Sequence, residues 1–427
     1  MLERILFNQF RNFPKAILHL APLTLLIGAG ASGKSQVLEG VRLLAWLARG
    51  NRLDALPEWM RQPEAPARGR VRDLPLRGSA RFGLACSGTA RDGELQMGLM
   101  IEADPEDAAR LVYEHLKEGG GESPLTLYHA ASAAGGALMI DYHAFGVSAP
   151  RSRLSGDSGE PVFVQLRDAN RFPEPHGESG RRIVAATGQV RAWFDSLMCL
   201  EPDLRKMRGY ASRKAGGLQS DGGNLSGVLY RLWGGERAEE SLSEETRWCR
   251  TEILACLRLL PGLEQAGLGF VVTPRGEVML TVRESSDPKR EFDASALSDG
   301  VLGLLALVAA LLDGPEERVV LVDGIDSWIY PAIASALLEK IWSIAGRRRL
   351  RVVLAGRNPA LLDALPDAAL PHAVLCHREL NKFSSRLIRL QDLSDHPGRI
   401  VQSPAAPLMT PRVLERFANI GGGARFL

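Results

Sequence analysis

Apolar positions near the start of the chain fall into short runs. Ile5–Phe10, Ile17–Leu20 and the apolar run Leu23 to Ile27 predict three strands, punctuated by Pro14 and Pro22. The third run reads as fully buried and enters a glycine-rich turn. From Lys34 onward, Val37, Leu38, Val41, Leu44, Ala45 and Ala48 recur at helical spacing, so the order is strand, loop, helix. A connecting stretch rich in Pro, Arg and Glu follows over 51–67. The runs Arg81–Cys86, Leu95–Ile101, Leu125–His129, Ala137–Tyr142 and Val162–Leu166, separated by Gly, Ser and Asp clusters, predict an antiparallel β-subdomain. A short helix is expected beside it over Asp104 to Lys117.

Between Ile183 and Leu260 the spacing turns helical, with Val190, Phe194 and Leu197 on one stretch and Trp248, Ile253, Leu254 and Leu257 on another. The glycine-rich segment Arg205–Asn224 reads as a loop between them. No heptad repeat is sustained, which argues against a long coiled-coil arm. Strand patterns return at Gly269–Thr273 and Val278–Val282. A helix from Ser298, a buried strand Val319–Val322, a helix Pro331–Ile344 and a buried strand Val352–Leu354 complete the pattern. Apolar strands alternating with helices predict a parallel sheet covered on both faces.

At 427 residues the chain exceeds the single core of about 250–300 residues at which domains usually split, so one composite domain or two lobes is expected. Its 52 basic and 50 acidic residues leave a net charge of +2, so contact with nucleic acid would need local patches. The five cysteines include no CxxC pair and read as reduced and mostly buried. The run Val301 to Leu312 is too short to span a membrane, which takes about 20 residues. With no signal-peptide pattern at the N-terminus, the expected location is the cytoplasm, with no membrane partner.

Gly28-Ala29-Gly30-Ala31-Ser32-Gly33-Lys34-Ser35 matches G-x-x-x-x-G-K-[ST] at every specified position and lies between a buried strand and an amphipathic helix. In such a loop backbone N–H groups converge on a β-phosphate, Lys34 reaches the β- and γ-phosphates, and Ser35 offers its hydroxyl to magnesium, with Gln36 beside it. Val319-Val320-Leu321-Val322-Asp323 is an apolar strand ending in an acid, an arrangement that places a carboxylate beside that magnesium. Ser298 is a natural N-cap for the helix opened by Leu297-Ser298-Asp299-Gly300.

Taken in this order, phosphate loop, Leu-Ser-Asp-Gly and acidic strand resemble the ATP-binding-cassette class, and within it the RecF/SMC/OLD-type AAA ATPases of bacteria. Phe10-Arg11-Asn12-Phe13, Asp168 to Pro173, Met207-Arg208, Asp221-Gly222-Gly223-Asn224-Leu225 and Asn358-Pro359-Ala360-Leu361-Leu362 also resemble segments of that group. The resemblance implies an α/β P-loop NTPase fold of ATP-binding-cassette type. That fold has a mixed sheet flanked by helices, an antiparallel β-subdomain and an inserted helical lobe. The implied division is residues 1–182 for the N-terminal core, 183–262 for the lobe and 263–427 for the C-terminal core. It also implies ATP and Mg2+ as cofactors and a homodimer that sandwiches ATP, with Ser298 and Gly300 acting on the nucleotide held by the partner. Gln165 is the candidate for the glutamine that links magnesium to the helical lobe. Residues 363–427 are too few for a Toprim nuclease domain, so an effector would be a separate chain.

The family pattern is broken in two places. Gly324 stands where a water-positioning glutamate is usual, and Arg357 stands where a switch histidine contacts the γ-phosphate. Asp326 is the candidate substitute base, two residues along and with a shorter side chain. Arg357 can still act on a phosphate electrostatically. The basic stretches Arg205, Lys206, Arg208, Arg213, Lys214 and Arg347, Arg348, Arg349, Arg351 read either as DNA- or RNA-binding patches or as solvated faces. Surviving binding groups beside missing hydrolysis groups favour an ATP-dependent switch that controls an effector or a nucleic acid, as in bacterial genome maintenance or anti-phage defence. An active DNA-repair ATPase or motor is the alternative, and the Leu-Ser-Asp-Gly segment disfavours a small-molecule kinase.

Overall fold

The computed structural model describes residues 1–62, 64–90, 93–121, 123–133, 137–145, 151–283, 290–379 and 384–394. The end of the expected third segment, from 395 on, lies outside the described residues. In chain order the first strands are β1 (Leu2–Phe10), β2 (Phe13–His19), β3 (Leu23–Ile27), β4 (Arg81–Ala90), β5 (Gly93–Ala103), β6 (Ala109–Glu118), β7 (Leu125–Ser132), β8 (Leu138–His143) and β9 (Arg151–Gly156). They are followed by β10 (Met198–Leu200), β11 (Ala211–Ser212), β12 (Gly267–Val272), β13 (Glu277–Arg283), β14 (Glu291–Asp293), β15 (Val319–Asp323), β16 (Arg351–Gly356), β17 (Val374–Glu379) and β18 (Ser384–Arg389). The helices are α1 (Lys34–Ala48), α2 (Leu56–Trp59), α3 (Val162–Gln165), α4 (Gly177–Asp195), α5 (Leu204–Met207), α6 (Leu225–Leu232), α7 (Glu244–Leu257), α8 (Asp299–Leu312), α9 (Ala334–Arg347), α10 (Ala360–Asp363) and α11 (Leu390–Ser394).

The chain divides into two compact units. The first takes Met1–Ala21, Ala29–Leu197 and Val374–Ile388. Its centre is the expected antiparallel β-subdomain, an eight-stranded sheet in the order β2-β1-β4-β5-β6-β7-β8-β9. Period-two alternation turns Ile5 and Phe7 of β1 and Leu84 and Cys86 of β4 to the buried face. Phe10 is buried out of that alternation after the left-handed Gln9, and the rings of Phe7, Phe10, Phe13 and Phe82 pack together. Helices α1 and α4 pack against one another in the same unit.

Two local expectations are corrected here. Residues 104–117 do not form a helix, because Ala109, Leu111 and Leu116 enter the core as part of strand β6, paired with both β5 and β7. Val162 to Leu166 is not a strand. Its four buried residues Val162–Gln165 form helix α3, whose first two N–H groups, on Val162 and Phe163, donate to the buried Glu114 carboxylate at 2.8 and 2.7 Å. A short apolar run has no period by which to choose between strand and helix, and the long-range acceptor decides it.

The second unit takes Pro22–Gly28, Met198–Ala373 and the described residues from Arg389. Here β10, β15, β16 and β3 lie side by side and parallel. The five residues of β3 and four of the five in β15 are buried, as strands covered on both faces require. Helix α8, apolar along almost its whole length, packs on α6, α7, α9 and β10. A small antiparallel sheet of β11, β13 and β12, with β14 on β13, completes the unit. The segment 183–262, read from sequence as one helical lobe, is shared between the units: α4 lies in the first, while β10, α5, α6 and α7 lie in the second.

Candidate nucleotide-binding site

The loop after β3 is built around its own backbone. Ala31 has φ 60° and Gly33, the N-cap of α1, has φ 111°. These left-handed turns point successive N–H groups inward, the geometry of an anion-binding nest. Ser32 N–H donates to Ala29 O at 3.3 Å, and the Lys34 ammonium donates to the same carbonyl at 2.9 Å, so the lysine lies along the loop. Ala29, Gly30 and Ala31 are exposed, and a Cβ built on Gly30 would meet nothing within 4 Å. Behind this open rim, Ser32 Oγ and Gln36 Oε1 are buried with no hydrogen-bond partner among the described residues. Buried polar atoms are nearly always satisfied; the Ser32 hydroxyl can donate to a phosphate at the open nest, whereas Gln36 Oε1, an acceptor, calls for a donor or a cation. Below the loop the Cys376 thiol donates to Ser32 O at 3.2 Å. Burial pushes that thiol up to about 11, so it stays neutral and acts as a packing group.

In the parallel sheet of the second unit, Ile27 is level with Gly356, and Ala355 with Asp323. The strand ends carrying the loop's start, Arg357 and the acid are therefore adjacent. Gly28 N–H donates to Gly356 O at 3.3 Å. Asp323 is half-buried at its strand end. Directly after it Gly324 takes φ 71° and ψ 36°, a left-handed conformation that favours glycine. The turn Ile325–Ser327 follows, and Asp326 points to β16: its carboxylate accepts the N–H groups of Arg357 at 2.5 Å and Asn358 at 3.2 Å. Arg357 itself is exposed.

The Leu-Ser-Asp-Gly segment opens α8 as expected, with Ser298 Oγ accepting Val301 N–H at 3.4 Å. Ser298 and Asp299 are exposed, whereas Gly300 is buried beneath Tyr330, whose ring carbon would lie 2.8 Å from a Cβ there. The approach to this helix is held by Arg208, which donates to Leu297 O at 2.6 Å and Ser295 O at 3.0 Å and pairs with Asp299 at 2.7 Å. Sequence reasoning missed this anchor. In the sequence Arg208 stands only in a basic stretch and in a Met-Arg pair, with no local signal for its distant carbonyl and carboxylate partners.

Other basic residues are similarly engaged. Lys206 pairs with Asp221 at 2.7 Å, and Arg347 stacks 4.0 Å over the Trp248 ring. Arg348 is buried and donates to the carbonyls of Leu311, Asp313 and Gly314, while Arg349 pairs with Glu316 and Glu317. Gln165, in the first unit, is buried, and its amide is taken up locally. Nε2 donates to Asp157 O and Glu160 O, each at 2.6 Å, and Oε1 accepts Asp157 N–H at 3.0 Å.

No protein-family model matches the chain, and no curated protein matches it. Among solved structures the chain is similar to an SMC head bound to the C-winged helix domain of ScpA, at 13% identity, covering 92% of this chain and 99% of that one with a TM-score of 0.49. It is also similar to an SMC head domain with an extended coiled coil bound to the C-terminal domain of ScpA derived from Pyrococcus furiosus, at 12% identity, 94% and 99% coverage and a TM-score of 0.49. A third is the SMC head domain from Thermotoga maritima, at 11% identity, 91% and 98% coverage and a TM-score of 0.42.

Proposed function

We propose that the chain is an ATP-binding switch of the ATP-binding-cassette type, which closes as a homodimer around Mg-ATP and turns over slowly by itself. The reading rests on one observation: an open phosphate nest after β3, with left-handed Ala31 and Gly33, whose buried Ser32 Oγ has no hydrogen-bond partner among the described residues. The nest N–H groups and Lys34 would hold the β- and γ-phosphates, and Ser35 and Asp323 would hold magnesium, which neutralises phosphate charge when bound. Ser298, exposed on the first turn of α8, would meet the γ-phosphate of the nucleotide held by the partner copy. With Gly324 in place of a carboxylate, no general base stands next to Asp323, and losing such a base typically slows chemistry about 10²–10⁴-fold.

A protein of this kind acts by occupancy. ATP holds the closed dimer, and a separate effector or a nucleic-acid transaction reads that state, as in bacterial genome maintenance or anti-phage defence. The alternative, a motor on DNA, has less support, because Lys206, Arg208 and Arg347 to Arg349 are engaged with acids, carbonyls or a ring. The test is light scattering and phosphate release on the purified chain with ATP and with ADP. A dimer formed only with ATP, together with slow release, is expected. A monomer under both conditions, or brisk release without any partner, refutes the reading.

A further inference from the structure

We propose that Arg208 is a positioning residue for the first turn of α8: its guanidinium fixes the chain on both sides of Ser298, and the ATP-driven dimer depends on that hold. This inference rests on the proposed homodimer. It adds a residue some 90 positions upstream of the Leu-Ser-Asp-Gly segment that makes the segment competent to meet a partner.

The bonds flank Ser298. Residues 294–297 lie in turns between β14 and α8, outside any strand ladder. Arg208 Nη1 gathers their carbonyls, donating to Leu297 O at 2.6 Å and Ser295 O at 3.0 Å, with Ala294 O at 3.4 Å. Nη2 donates to Asp299 Oδ1 at 2.7 Å. One planar fork therefore holds the residue before Ser298 and the residue after it, a task that a single ammonium point charge performs poorly. The pair with Asp299 has a second effect. An unpaired carboxylate beside Ser298 would repel an approaching phosphate, and the guanidinium offsets that charge.

Arg208 is itself held in place. It follows α5, whose Met207 is buried, and the neighbouring Lys206 pairs with Asp221 at 2.7 Å. The same stretch of chain grips the other end of α8. Asp313, the buried C-cap of that helix, accepts Leu218 N–H at 2.7 Å and the Arg231 guanidinium at 2.6 Å. Residues 204–231 thus bracket α8 with one arginine at each end. The helix has 14 residues, so at about 1.5 Å per residue the two anchors lie about 20 Å apart. An anchor that served stability alone would be equivalent at either end, and this separates the two roles.

The test is light scattering of the full chain with Mg-ATP, read beside calorimetric ATP binding and melting temperature. The proteins are wild type, Arg208→Gln, Arg208→Lys, Arg231→Gln and Arg208→Gln/Asp299→Asn. At concentrations where all are monomers, Arg208→Gln is expected to bind ATP as wild type does. The protein concentration at which half its chains are dimeric should rise about 10-fold or more, the effect of losing charged hydrogen bonds. Arg208→Lys keeps the charge but not the fork and is expected to lose nearly as much. Arg231→Gln breaks the pair with buried Asp313, so it should melt at least as far below wild type as Arg208→Gln yet dimerise close to wild type. Arg208→Gln/Asp299→Asn removes the unpaired carboxylate and should recover part of the loss at most.

A loss in Arg231→Gln as large as in Arg208→Gln would reduce Arg208 to a structural anchor and overturn the proposal. Wild-type dimerisation in Arg208→Lys, or full recovery in the double variant, would show that charge alone matters and overturn it as well. Arg208→Lys decides the matter should Arg208→Gln fail to fold, because it keeps a cation beside Asp299. A wild type that binds ATP and stays monomeric would overturn the dimer reading, and this inference with it, an outcome separate from a dimer indifferent to Arg208.

Discussion

Placing a glutamate at position 324 is the obvious attempt to restore hydrolysis, and the backbone predicts that it fails. Gly324 has φ 71° and ψ 36°, and the nearest atom to a Cβ built there is Ser327 Oγ at 3.8 Å, an ordinary contact. The site therefore has room for a side chain, and the whole cost lies in the left-handed conformation, about 1–2 kcal/mol for a residue with a Cβ. At about 2–4 °C per kcal/mol for a large domain, Gly324→Glu and Gly324→Ala should both melt about 2–8 °C below wild type. Gly324→Asn should lose less, because asparagine tolerates this region. The bonds from Asp326 to Arg357 and Asn358 oppose any unwinding of the turn that would relieve the strain, so Gly324→Glu should not accelerate phosphate release. Differential scanning fluorimetry and a coupled phosphate assay measure both quantities. A Gly324→Glu protein as stable as wild type that releases phosphate faster would show that the turn relaxes freely, and the reasoning from φ would be wrong.

Lys34→Ala should abolish ATP binding by calorimetry, since it removes the loop's one ammonium able to reach the β- and γ-phosphates. Ser298→Ala removes the cap on Val301 N–H and should cost about 0.5–2 kcal/mol, whereas Ser298→Asp keeps the cap and should retain stability while losing the ATP-dependent dimer seen by light scattering. Glu114 gives a pH signature: burial pushes its carboxyl up to about 7, against the pull of the Tyr128 hydroxyl and the Val162 and Phe163 N–H groups. The folded chain then holds that proton more tightly than the unfolded one. Its contribution is full below the ordinary carboxylate range and is lost as pH rises through about 7, so the melting temperature should fall from about pH 5 to about pH 8 and Glu114→Gln should flatten the slope. A slope identical in wild type and Glu114→Gln would assign the dependence to other groups.

Local sequence patterns carried the strand–loop–helix around Gly28 to Ser35, the Ser298 cap and the buried strand ending in Asp323. A glycine turn, an N-cap and an apolar run are set by neighbours within a few residues. The same patterns could not decide what depends on distant partners. Residues 104–117 became strand β6 because two flanking strands satisfy its backbone. Val162–Gln165 became a helix over the Glu114 carboxylate, and the three residues of β10 are a strand only beside β15. Asp326 reads in sequence as a displaced base. Only the chain's return at Arg357, 31 residues on, brings in the backbone donors that occupy its carboxylate. Arg208 likewise reads as one charge in a basic stretch until the fold carries Asp299, 91 residues away, to its guanidinium. The sequence determined which groups are present and how each short segment turns. The tertiary structure decided which polar atoms are already satisfied and which remain for a ligand, because hydrogen bonds between distant segments exist only after the chain has closed on itself.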